Sequence, residues 1–98
     1  MRRDATLQTL ETHLPELRHE FGLRSLSLFG SLARNEAADS SDVDVLVDFD
    51  RSVTLFDLVS LQLRLQQVLS VERVDVVIRD SINPSIRDNI LRDAIHVG

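Results

Sequence analysis

Two short runs hold the residues best suited to chemistry: Gly30-Ser31, which closes an apolar stretch, and Asp42-Val43-Asp44, which opens the next. A glycine lets backbone approach a ligand with no Cβ in the way, and a serine hydroxyl at a helix start adds a donor beside amides that already favour anions. Gly30 and Ser31 therefore read as a phosphate cradle. Side chains on a strand alternate with period two, so Asp42 and Asp44 share one face while Val43, Val45 and Val47 share the other. Two carboxylates so placed can bind one divalent cation or a close pair, and hard oxygen donors suit Mg²⁺ or Mn²⁺. A third acid, Asp75, interrupts Arg73-Val74-Asp75-Val76-Val77-Ile78, where burial otherwise favours an apolar residue. Two-metal phosphoryl transfer needs carboxylates converging from separate elements on ions about 3.5–4 Å apart, and Asp75 is the candidate from a second strand.

Each of these signals has a plainer reading. Most Gly-Ser dipeptides are ordinary turns, and alternating acids are the wet face of a one-sided sheet, for which Asp48 and Asp50 are the expected examples. Asp75 can instead face solvent or pair with Arg73 or Arg79. Arg34, one turn past Ser31, can reach a phosphate as a bidentate donor or can fix the loop by pairing with Glu36 or an Asp. Ser41 suits a capping role before Asp42. His13, His19 and His96 have no ligand spacing and read as solvated, and Arg73, Arg79 and Arg87 read as surface arginines.

The elements that must position these residues follow from periodicity. Leu7, Leu10, Leu14, Leu17 and Phe21 form a helical stripe, with Pro15 inside it predicting two short helices or one kinked helix and Gly22 supplying the stop. Leu23–Phe29 reads as a strand, residues 31–35 as a short helix ended by Asn35, and Asp42–Phe49 as a second strand. A capping-box pattern of Thr54 with Asp57 opens a helix through Leu69, with Leu55, Leu58, Val59, Leu65, Val68 and Leu69 on the stripe and Phe56, Leu61 and Leu63 off it. Val71–Ile78 reads as a third strand. Asn83 caps, and Pro84 begins, a last helix carrying Ile86, Ile90, Leu91 and Ile95. The pattern predicts an α/β (α+β) fold, a small sheet of about three strands with helices packed against it.

Composition bounds the rest. With 98 residues and 43% apolar content, residues 1–98 are expected to form a single domain. The chain has no Cys, which excludes disulfides and thiolate metal sites and fits a reducing compartment. No run approaches the roughly 20 apolar residues of a membrane span, and a soluble, cytoplasmic protein is expected. A net charge of -5 argues against nucleic-acid binding through the phosphate backbone.

Gly30-Ser31, ten intervening residues, Asp42-Val43-Asp44 and the later Asp75 together resemble the signature of the DNA polymerase β nucleotidyltransferase superfamily. More narrowly, the run from Phe29 to Glu36 followed by that from Ser41 to Val47 is similar to the minimal nucleotidyltransferase (MNT) antitoxin family. The resemblance implies a polymerase-β-like core with a mixed or antiparallel sheet. It implies that Gly30 and Ser31 hold the β and γ phosphates of ATP, that Asp42 and Asp44 bind two Mg²⁺ ions, and that Asp75 ligands the catalytic ion and helps deprotonate the attacking hydroxyl. Relatives commonly have Gly where this chain has Asn35, a residue that tolerates the same backbone. The family further implies a HEPN-domain ribonuclease toxin as partner in a hetero-oligomer, with AMP transferred to a tyrosine of that toxin. This chain has no Tyr, so such an acceptor belongs to the partner. The alternative is a non-catalytic module that neutralises its partner by direct complex formation.

Overall fold

The structure, a computed structural model, describes residues 3–34 and 42–97. Asn35, Glu36 and Ser41 lie outside the described residues. The first element is a single helix, α1 (Arg3–Phe21), which runs through Pro15 instead of dividing there. Proline in a helix interior costs about 3 kcal/mol. Leu10, Leu14, Leu17 and Phe21 are all buried on both sides of it, and each such side chain contributes about 1.5–3 kcal/mol, so burial outweighs the lost hydrogen bond. Gly22 ends the helix at φ +71°, its amide donating to the Arg18 carbonyl at 2.9 Å.

Strand β1 (Leu23–Phe29) has the predicted bounds and runs directly into a four-residue helix, α2 (Gly30–Ala33). Strand β2 (Val43–Phe49) follows, with Val43, Val45 and Val47 buried as the alternation requires. Asp48 does not behave as a wet-face acid: its side chain is only 15% exposed and lies 3.6 Å from Arg24. Leu46, on the same face, is also buried, so β2 is covered on both sides over that stretch.

Helix α3 (Leu55–Leu69) carries the capping box read from sequence: the Asp57 amide donates to Thr54 Oγ1 at 3.2 Å, and the Thr54 amide donates to Asp57 Oδ2 at 2.8 Å. Its core stripe differs from the expected one. Leu61, Leu65 and Leu69 are buried, whereas Leu55 (75%) and Val59 (45%) are exposed. The helix has two apolar stripes, and spacing alone does not say which one the sheet covers. The helix ends with Ser70 in the left-handed conformation, the Val71 amide donating to the Gln66 carbonyl and Ser70 to Gln67. Gln66 Nε2 also donates to the Glu72 carbonyl. Val71 and Glu72 are thereby engaged in finishing α3, so strand β3 (Val74–Ile78) begins three residues later than the alternation suggested.

A single 3₁₀ turn (Arg79–Ser81) leads to α4 (Pro84–Asp93), with Asn83 Oδ1 accepting from the Ser85 amide at 3.0 Å. Ile95 is not part of this helix. Ala94 turns the chain extended, Ile95–His96 form β4 against β1, and the Val97 amide donates to the Leu26 carbonyl at 2.8 Å. Among the described residues the sheet therefore has four strands, where about three were expected, in the order β3-β2-β1-β4. It is mixed: β1 pairs antiparallel with β2 and β4, and β2 pairs parallel with β3. Helices α1 and α3 enclose the core with β1 to β3, and a bidentate contact from Arg64 to Glu20 (2.6 and 2.8 Å) ties them together. Among the described residues no helix is long and apolar enough to cross a membrane.

Candidate active site

Register brings the acids together. In the parallel ladder of β2 and β3, Asp44 is paired with Asp75, and in the antiparallel ladder Asp44 is paired with Phe29, the residue before Gly30. Neighbouring strands lie about 4.8 Å apart, so side chains of paired residues on one face must meet. Asp44 and Asp75 do so, close enough for hydrogen bonding between the two carboxyls to favour the protonated form of Asp44. Burial raises the Asp44 pKa from an ordinary 3.8 to about 6, helped by the charge of Asp75, that hydrogen bond and the charge of Asp42, while Arg34 pulls it back. Two acids and one arginine thus act on a single carboxyl.

Gly30 forms the opposite wall. Its φ is +79°, a conformation that L side chains rarely adopt, and a Cβ there would stand 2.3 Å from Asp44 Oδ2. Glycine is required both for the turn and for the closeness of backbone to carboxylate. Ser31 follows as the second residue of α2 and is half-buried. Asp42 sits one residue before β2, with Arg73 Nε 3.6 Å from its Oδ2. Arg73 thus pairs with Asp42, not with the Asp75 considered from sequence. Among the described residues no three acidic or histidine side chains form a ready metal cage. The acids are gathered pairwise, which suits an ion that usually takes one or two carboxylates and completes its shell with water and phosphate oxygens.

Arg34, the last of the predicted site residues, lies at the C-terminal end of α2, and its Nη1 donates to Asp93 Oδ2 at 3.2 Å. This acidic partner comes from α4, 59 residues away, which sequence spacing had no means of naming. Between α2 and α4 lies a cleft of about 200 Å³ lined by Phe29, Gly30, Arg34, Asn89, Ile90 and Asp93. Asn89, Ile90 and Asp93 carry no motif. His13 pairs with Glu16 on the surface of α1, far in sequence from these residues.

The chain is similar to known proteins over nearly its whole length. The nucleotidyltransferase domain model matches residues 10–97. The chain is 38% identical over 96 residues to the protein adenylyltransferase MntA of Thermococcus cleftensis, covering 94% of this chain and 96% of the relative. It resembles a solved structure provisionally named a minimal nucleotidyltransferase, with TM-score 0.80 and 38% identity over 97% of this chain and 95% of that one. It also shares its fold with a chain from the complex of a tri-AMPylated Shewanella oneidensis HEPN toxin and an MNT antitoxin, at TM-score 0.68 and 19% identity over 94% of this chain and 71% of that one.

Proposed function

This chain belongs to the minimal nucleotidyltransferase family, and from that premise we propose that it transfers AMP from ATP to a hydroxyl of a HEPN-domain toxin, as the antitoxin of the pair. The observation that carries the reading is the meeting of Asp44 and Asp75 in register, with Gly30 pressed against the Asp44 carboxylate. The relative named protein adenylyltransferase supports AMP as the transferred group, and the neighbour solved with a tri-AMPylated HEPN toxin supports the partner.

The residues present fit Mg²⁺. Burial, with Asp75 and Asp42 crowded beside it, raises the Asp44 pKa to about 6 and leaves a site short of positive charge, and all the donors are hard oxygens. Asp42, Asp44 and Asp75 are the ligands, and bound Mg²⁺ supplies neutralisation of the triphosphate and of charge developing on it. The backbone at Gly30 and the Ser31 hydroxyl hold the β and γ phosphates, and Arg34 contributes at the same end. Asp75 accepts the proton of the attacking hydroxyl as its oxygen bonds the α phosphorus; the bond to the β-phosphate oxygen breaks and pyrophosphate leaves. Orientation and charge placement supply most of the rate. A tyrosine acceptor belongs to the partner, because the chain has no Tyr. An ATP substrate and the absence of Cys support a cytoplasmic setting, and the net charge of -5 supports a protein acceptor over a nucleic acid.

One observation favours neutralisation by binding as well. Leu55, Phe56, Val59 and Leu63 are exposed by 75%, 85%, 45% and 57% and follow one another at helical spacing along α3. Such a stripe is a docking face for a partner protein. Incubation with α-phosphate-labelled ATP, Mg²⁺ and the toxin separates the readings. Label on the toxin with wild type but not with Asp42→Asn/Asp44→Asn supports catalysis; a stable complex without label supports binding alone.

A further inference from the structure

We propose that Asp93 is a positioning residue for Arg34, holding its guanidinium against the cleft between α2 and α4, where the β and γ phosphates of the nucleotide end. The inference rests on the nucleotidyltransferase reading above and extends it to a helix that carries no part of the motif. Three observations support it.

Asp93 is the final residue of α4. A helix C-terminus carries partial negative charge and disfavours a carboxylate, so local electrostatics give no reason for an acid at this place. The reason lies across the cleft, where Arg34 Nη1 donates to Asp93 Oδ2 at 3.2 Å. The pair is partly open to solvent, with side chains 42% and 34% exposed, and an ion pair of that kind contributes little to stability. What it does contribute is direction, since it narrows the rotamers open to a long arginine.

The cleft shares Gly30 and Arg34 with the candidate phosphate turn, and Gly30 lies against the Asp44 carboxylate. Arg34 therefore stands between the metal-site acids and α4. A planar guanidinium can engage two acceptors along different edges, so Asp93 can steer the group while a phosphate oxygen takes another edge. Phosphates bound there are those that leave as pyrophosphate.

Calorimetric titration with ATP, pyrophosphate and AMP, each with Mg²⁺, tests the assignment. Asp93→Ala is expected to weaken ATP and pyrophosphate alike by about tenfold, to leave AMP unchanged, and to leave the melting temperature within a few degrees of wild type. Asp93→Glu should restore most of the loss, and Asp93→Ala should add nothing to Arg34→Ala. In the transfer assay the loss falls on KM for ATP and not on kcat. Tighter ATP binding by Asp93→Ala would mean that Asp93 competes with phosphate for Arg34, and a lower melting temperature with unchanged affinities would mean a staple only; either overturns the proposal. If Arg34→Ala weakens pyrophosphate while Asp93→Ala does not, the positioning role alone fails. If Arg34→Ala leaves every affinity unchanged, the phosphate role of Arg34 fails with it.

Discussion

Asp44 has an ordinary pKa of 3.8 in the unfolded chain and about 6 in the fold, so the folded state holds the proton more tightly. Stabilisation from that proton is complete below the unfolded value and is lost as pH rises through the folded one. The metal-free protein should therefore melt at a higher temperature near about pH 5 than near about pH 7.5. Asp44→Asn should raise the melting temperature at the higher pH and flatten that part of the profile, as thermal melts in chelator will show. Mg²⁺ should stabilise wild type at the higher pH, where Asp44 is charged, and less at the lower, where a proton competes for the Asp44 carboxylate. Gly30 has the opposite sensitivity. Gly30→Ala places a methyl 2.3 Å from Asp44 Oδ2 in a left-handed conformation, and should cost about 1–3 kcal/mol in denaturant unfolding while reducing transfer at least about a hundredfold.

At the scale of elements, the legible parts were those whose signals are local. The Thr54 and Asp57 capping box, the Gly22 stop, the bounds of β1 and the Asn83-Pro84 helix start each follow from a few adjacent residues, and each is present. The misread parts depend on what lies opposite. Apolar spacing on α3 fits two stripes, and only the placement of the sheet decides that Leu61 is core and Leu55 is not. Ile95 fits the α4 pattern, yet the open edge of β1 takes it as a strand. In the site, Gly30, Asp44 and Asp75 were legible because spacing and strand alternation fix their faces; Asp93 was not, because its partner is 59 residues away and it follows no motif. A stability prediction belongs here too. Ser70 ends α3 at φ 56°, where glycine carries no Cβ penalty, so Ser70→Gly should stabilise the fold by about 0.5–1 kcal/mol and raise the melting temperature by several degrees without changing transfer.

For the whole molecule, the question under the proposed function is how a small acidic chain both recognises and modifies a partner. The sheet gathers the candidate acids along β2 and β3 while the exposed apolar stripe lies on α3, so the proposed docking and the proposed catalysis draw on different residues and should be separable by substitution. Phe56 and Leu63, 85% and 57% exposed, contribute little to the core, and Phe56→Ser/Leu63→Ser should fold and bind ATP as wild type does. Apolar anchors at an interface contribute about 2 kcal/mol each when they are central, so this variant should bind the toxin at least about thirtyfold more weakly and label it slowly at limiting toxin. Asp42→Asn/Asp44→Asn should do the reverse, keeping the complex and losing the label. Measured side by side by co-purification and label transfer, the two variants divide antitoxin action between its causes. If a toxin freed of its antitoxin after labelling stays inactive, modification is sufficient; if the acid variant neutralises the toxin as well as wild type does, the stripe on α3 is the active part and the carboxylates serve a different end.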